Sequence, residues 1–245
     1  GALAWSSDAA DTAKGIYNFC QTIFNLPCSL ITPITISIIP TVTAALTKGN
    51  TAGARHTEES AVRTMSLIAM PCAVGLAVLS EPIIRLLARN YGPESVATAA
   101  PILAYLGIAV IFNSTVLLFN AIMQAHGDVT TPVVNMLIGG VVKVVVNYIL
   151  VAIPSLNIIG AAIGTIVCYV TITVLDLIAM RRSVTTRPAI FRNVIRPAAA
   201  AGIMGAATFF AAALLRSFTD SNTVVCLGAL IAAVVVYVIF VVVLR

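Results

Sequence analysis

The chain has 245 residues, of which 60% are hydrophobic and 9% charged, with a formal net charge of +5 and a mean hydropathy of +1.04. A soluble domain carries about 25% charged residues, so a water-soluble enzyme is excluded and the bilayer sets the length of each element. The positive charge does not point to nucleic acid, because the basic residues stand at the ends of apolar runs rather than on one amphipathic face. Cys20, Cys28, Cys72, Cys168 and Cys226 all lie within apolar runs, without metal-ligand spacing, and read as reduced packing residues.

No charged residue occurs between Lys14 and Lys48, and about 20 apolar residues suffice to cross the hydrocarbon layer as helix. This first span contains Pro27, Pro33 and Pro40, which remove backbone donors and predict a kink unless neighbours satisfy the freed carbonyls. A polar segment from Lys48 to Ser60 leads into a second span, Ala61 to Leu79, followed by Glu81 and Arg85 one turn apart and able to pair. Tyr91, Gly92 and Pro93 break the chain, and Ser95 to Gly127 forms a third span. From Val129 to Leu175 the run is twice the length one helix needs; Pro154, Ser155 and Asn157 divide it into spans four and five. Pro197 to Leu215 and Thr223 to Leu244, separated by a turn containing Asp220, bring the total to seven spans.

Lysine and arginine in short loops are retained on the cytoplasmic side. Lys48, Arg55, Arg63, Arg181, Arg182, Arg187, Arg192, Arg196 and Arg245 fall on one side of a seven-span chain, and Lys14, Arg85, Arg89 and Arg216 on the other, nine against four. The first residue is therefore expected outside and the last in the cytoplasm. An outside start at Gly1 without a signal sequence predicts that at least one span precedes this segment.

Leu26-Pro27, Ile39-Pro40, a basic loop, Met70-Pro71 and Ser80-Glu81-Pro82-Ile83 occur in that order. Asn120-Ala121-Ile122-Met123-Gln124-Ala125-His126-Gly127, then Gly139-Gly140, then Ile159-Gly160-Ala161-Ala162-Ile163-Gly164-Thr165 follow. Across essentially the whole chain this order resembles the carboxy-terminal half of stage V sporulation protein B-like polysaccharide transporters, within the multidrug, oligosaccharidyl-lipid and polysaccharide exporter superfamily. The resemblance implies an all-α polytopic fold of fourteen helices in two lobes, with helices 8 to 14 here. Residues 1–180 would form the carboxy-terminal lobe and 181–245 the terminal helix pair. It further implies a non-enzymatic flippase of an undecaprenyl-linked saccharide in the bacterial plasma membrane. The partners would then be that substrate, membrane lipids and an amino-terminal lobe, with no cofactor and no nucleic acid. A cation-coupled multidrug exporter, which would want buried acids, and a noncatalytic membrane scaffold are the alternatives.

Lys143 stands in mid-span, where a charge costs roughly 2.5–3.5 kcal/mol. Fourteen Val, Ile, Leu and Met residues from Thr131 to Ile153, each contributing on the order of 0.3–0.6 kcal/mol, keep insertion favourable. Asn135, Gly139, Lys143 and Asn147 recur every four residues, a stripe expected to face protein or a wet cavity. Lys143 either lines the substrate path, with Asn135 and Asn147 bonding sugar hydroxyls, or is structural, bonded to carbonyls of a neighbouring helix. Asn113, Asn120 and Gln124 form a second stripe, for interhelical bonding or for the substrate path. Gly160 with Gly164, and Gly202 with Ala206, have the small-xxx-small spacing of close helix packing. Asp176 is expected to pair with Arg181 and Arg182 at the membrane interface, the alternative being a coupling-ion ligand, and Glu59 with Arg63; His56 and His126 lack ligand partners at metal spacing. No nucleophile elbow, phosphate loop or paired intramembrane carboxylates occur, which disfavours an intramembrane glycosyltransferase.

Overall fold

A computed structural model describes residues 7–88, 91–153, 156–218 and 221–243. Arg89, Pro154, Ser155, Asp220, Leu244 and Arg245 lie outside the described residues. Among those described, eight α-helices follow one another: α1 Ser7–Thr47, α2 Thr51–Val78, α3 Ser80–Leu87, α4 Pro93–Ala125, α5 Thr130–Val151, α6 Ile159–Ser183, α7 Ile190–Phe218 and α8 Asn222–Val243. All but α3 are long and apolar enough to cross a membrane, giving the seven expected spans.

The ends differ from the sequence reading. The polar stretch before Ala61 is helical from Thr51, because Gly49 turns the chain at φ +70° and the Asn50 side chain caps the helix by accepting from the Gly53 N–H at 2.8 Å. Likewise α7 begins at Ile190 and continues through Pro197. The arginine-rich connection is therefore short: Arg181 and Arg182 end α6, and Arg192 and Arg196 belong to the first turns of α7. Helix α1 runs through all three prolines for 41 residues, about 60 Å at 1.5 Å per residue, well beyond the hydrocarbon layer.

α4 occupies the centre. It packs against α1, α2 and α6, and Ile102, Leu103, Leu106, Ala109 and Val110 are fully enclosed. Gly107 permits the approach to α2: a Cβ there would stand 3.0 Å from the Ala73 carbonyl oxygen and the Ala77 nitrogen. The α7–α8 pair packs on α2, with α8 also touching α3. In α7 the close contact is made by Gly205, whose Cβ would meet Val74 Cγ1 at 2.5 Å, whereas Gly202 has nothing within 4 Å and Ala206 is exposed. The small-xxx-small reading at Gly202 and Ala206 thus picked the wrong face of an alanine-rich helix.

One proline is compensated from a distance. Pro71 has no N–H to donate to the carbonyl four residues earlier, which is that of Leu67. The Tyr237 hydroxyl on α8 donates to this carbonyl at 2.9 Å, so α8 completes the backbone bonding of α2.

Candidate functional site

The stripe on α5 is a seam against α6, running antiparallel in steps of four residues. Asn135 Nδ2 donates to Asp176 Oδ1 at 2.8 Å. One turn on, a Cβ at Gly139 would collide with Ile172 Cγ1 at 2.3 Å, and three turns on, a Cβ at Gly164 would collide with Asn147 Oδ1 at 1.9 Å. A Cβ at Gly160 would meet the Leu150 backbone carbon at 2.8 Å. Between these contacts the half-buried Lys143 bears electrostatically on Cys168. Among the described residues no carboxylate lies within ion-pairing distance of its ammonium.

Along this seam polar capacity is left over. Asn147 Oδ1 and Asp176 Oδ2 are buried without a hydrogen-bond partner, as is Asn120 Oδ1 of α4. Buried polar groups ordinarily find partners, so the concentration of three acceptors around α5, with a mid-helix cation on the same element, sets this region apart. Asp176 is fully buried and bonded to Asn135, not paired with Arg181 or Arg182 as its sequence position suggested. The arginines are exposed: five and six residues further along α6, they stand about 140° and about 120° round the helix from Asp176.

The second stripe does not act as a unit. Asn113 Nδ2 reaches Cys28 Sγ on α1 at 3.0 Å and Asn120 Nδ2 reaches Met136 Sδ on α5 at 3.5 Å. Gln124 is exposed.

Sequence reasoning missed a buried cluster beyond the end of this seam. Glu58 of α2 is 0% exposed and His126, the residue capping α4, 3% exposed, with His126 Nε2 2.8 Å from Glu58 Oε1. The Thr186 hydroxyl, from the connection between α6 and α7, donates to Glu58 Oε2. His126 has no partner at metal spacing in the sequence; its carboxylate lies 68 residues away, where no local spacing reveals it. Glu59 pairs with Arg55 at 2.9 Å, not Arg63, and accepts from the Ala189 N–H at 3.0 Å. Nearby, Asp128 accepts from the Ser183 hydroxyl and from the Thr131 N–H at 3.1 Å. The Ser183 bond, then those from Thr131, hold its carboxyl below the ordinary value despite partial burial. His56 is exposed, and no group of three or more metal-ligating side chains occurs among the described residues.

On the opposite side Glu81 pairs with Arg85 at 2.9 Å, as its spacing suggested, and with Arg216 at 3.4 Å. Burial pushes its carboxyl up, and the two guanidinium groups outweigh that and leave it below the ordinary value. In the apolar layer, an open groove of about 610 Å³ lies between α1, α2 and α8, walled by Leu26, Leu30, Leu76, Val234 and Val238.

The chain also matches a known family model. The description of that family is lipid II flippase MurJ, and the match runs over residues 3–243. The chain belongs to the MurJ family. It is 28% identical over 170 residues to the lipid II flippase MurJ of Bacillus subtilis, covering 67% of this chain and 30% of that protein. Stage V sporulation protein B of the same organism is 24% identical over 157 residues, covering 64% of this chain and 29% of the relative. The solved inward closed conformation of lipid II flippase MurJ superposes with a TM-score of 0.75 at 17% identity, over 93% of this chain and 46% of that structure. This MurJ-family chain therefore spans about a third of the length of its curated relatives, and the family, a multi-pass inner-membrane one, accounts for its seven apolar helices.

Proposed function

We propose that this chain forms the carboxy-terminal part of a flippase that moves an undecaprenyl-linked saccharide of the lipid II class across the bacterial plasma membrane for peptidoglycan synthesis, without covalent chemistry. The observation that carries the reading is the family match across residues 3–243. The two halves of such a substrate make different physical demands. Its polyprenyl tail is as apolar as the bilayer, so a groove such as that between α1, α2 and α8 guides it by packing, with little hydrophobic gain. Its charged headgroup needs polar partners at membrane depth, and Lys143 with Asn135 and Asn147 supplies the polar stripe of α5. The reading extends to residues 1–180 as the lobe and 181–245 as a terminal pair. That division is supported by the mutual packing of α7 and α8. An amino-terminal lobe would contribute the rest of the path.

Asp176 favours a second element, coupling to a cation. It is a fully buried carboxylate with one oxygen unpartnered, of the kind that cation-coupled exporters use.

Translocation of a fluorescent lipid-linked saccharide by the intact transporter in vesicles tests the reading. Lys143→Met removes the cation and keeps much of the apolar stem, whereas Lys143→Arg keeps the charge. The methionine variant is expected to lose transport at equal abundance and the arginine variant to retain more of it. Full activity of the methionine variant would remove Lys143 from the path, and an inactive wild-type transporter would overturn the flippase reading itself.

A further inference from the structure

Away from the α5–α6 seam, the buried Glu58–His126–Thr186 cluster fastens a connection between helices. Residues 184–189 join α6 to α7, and three carboxylates hold this short strap at intervals of three residues. Asp128 accepts from the Ser183 hydroxyl, Glu58 from the Thr186 hydroxyl and Glu59 from the Ala189 N–H. Glu58 differs from the other two in being 0% exposed. It stands beside an apolar cluster that includes Ala54, Val62, Met123 and Val184, and its second oxygen meets His126 Nε2 at 2.8 Å. The Thr186 hydroxyl is also 3.4 Å from that nitrogen.

Removed from water, a carboxyl and an imidazole are least costly when neutral as a pair, either as carboxylate and imidazolium or as carboxylic acid and imidazole. Both forms share one proton. A further proton leaves a buried cation, and loss of the shared one a buried anion; exposure to water relieves either. The surrounding charges do not offset this. Arg55 and Glu59 of α2 pair with each other, and Asp128 is bonded by Ser183 and Thr131. Lys48 and His56, Arg181 and Arg182 of α6, Arg187 of the strap and Arg192 of α7 are exposed, where solvent screens them. The strap itself favours release. Arg187, next to Thr186, has φ +47°, a conformation that a residue with a Cβ adopts rarely and keeps only where its surroundings impose it.

We infer that Glu58 and His126 form a proton-binding site that controls the α6–α7 connection: holding one proton, the pair stays closed on Thr186, and on gaining a second or losing the first it lets the connection go. Release frees the start of α7, while the close contact of Gly205 with Val74 and the Tyr237–Leu67 bond continue to hold the α7–α8 pair on α2. The site is separate from Asp176 and Lys143 and does not depend on what the transporter moves.

Thiol labelling of the purified intact protein tests this. Val184 is 3% exposed and Thr185 is exposed, so the labelling rate of Val184→Cys divided by that of Thr185→Cys measures opening and cancels the pH dependence of the reagent. The unsubstituted protein gives the background from its five cysteines. The ratio is expected to pass through a minimum between about pH 4 and about pH 9 and to rise on either side by up to about tenfold per pH unit, the limit for one proton. Glu58→Gln should keep only the acid rise, because the imidazole still gains a proton, and His126→Gln only the alkaline rise, because the carboxylic acid still loses one. The double variant should be flat. Thr186→Val leaves both titrating groups in place and should raise the ratio about tenfold at the minimum. Thermal unfolding in the same detergent is the folding control; should a glutamine variant fail it, the wild-type profile and Thr186→Val decide. A wild-type ratio independent of pH, an unchanged profile in the folded glutamine variants, or wild-type protection in Thr186→Val overturns the proposal. So does a pH dependence that survives in the double variant, which would belong to Glu59 or Asp128 instead.

Discussion

Replacing Gly160 by alanine is expected to destabilise the protein more than any other glycine-to-alanine change along the α5–α6 seam. The obstacle there is the backbone of α5: the added Cβ would lie 2.8 Å from the Leu150 carbonyl carbon and 3.0 Å from its oxygen. Relief requires α6 to move away from α5 by several tenths of an ångström, and overpacking of this kind costs about 1–3 kcal/mol. At Gly139 the obstacle is the end of the Ile172 side chain, which changes rotamer at smaller cost. At Gly164 it is the Asn147 amide oxygen at 1.9 Å, which already lacks a hydrogen-bond partner. Rotating it away therefore sacrifices no bond, and Asn147→Ala in the same protein should restore most of what Gly164→Ala loses. Gly202→Ala, with nothing within 4 Å, is the reference and should gain about 0.5–1 kcal/mol from helix propensity. The propensity gain is common to both helical positions, so Gly160→Ala and Gly202→Ala should differ by the overpacking cost, about 1–3 kcal/mol. Thermal unfolding of the purified variants in one detergent ranks them, and a double-mutant cycle isolates the Gly164–Asn147 coupling. Equal stability of Gly160→Ala and Gly202→Ala would refute the close approach of α5 and α6.

Three further outcomes are expected. Tyr237→Phe leaves the Leu67 carbonyl without its donor and should cost roughly 0.6–2 kcal/mol in detergent unfolding; an unchanged midpoint would mean that the carbonyl finds another partner. The depressed Asp128 carboxyl contributes stability above its unfolded value, near 3.8, and that contribution is lost as pH falls through the lower folded value. The stability gap between wild type and Asp128→Ala, measured from neutral to acid pH, should accordingly close as the medium is acidified, and a constant gap would remove the ionised carboxylate from the argument. Single cysteines placed at 184–189 should resist impermeant thiol reagents in intact cells, and rapid labelling from outside would invert the proposed orientation of every loop.

The spans were legible because a length of apolar residues is a local property, and so was the four-residue stripe on α5, whose period follows from helix geometry. Helix ends were less so. At Thr51–Ser60 and Ile190–Arg196 the helix continues beyond the apolar stretch, and hydropathy marks the membrane rather than the hydrogen bonding. Partners were illegible wherever the chain had to return on itself. Asn135 and Asp176 are 41 residues apart, and Glu58 and Thr186 are 128 apart. Asp176 has arginines close by in sequence, whereas in three dimensions its partner is Asn135 of α5 and the arginines stand on other faces of α6. Gly202 and Gly205 are three residues apart in a run of small residues, where spacing alone cannot say which one meets a neighbour.

The bond from Tyr237 to Leu67 also bears on how the protein is made. Its two ends are 170 residues apart, and ribosomes add about 5–20 residues per second, so α2 waits roughly 10–30 s after its own synthesis for the hydroxyl that replaces the donor lost at Pro71. During that interval the Leu67 carbonyl must be satisfied by water, by the insertion machinery or by a temporary neighbour. A ribosome stalled before α8 should therefore leave α2 accessible to a membrane chaperone, and release of the last helix should end that association.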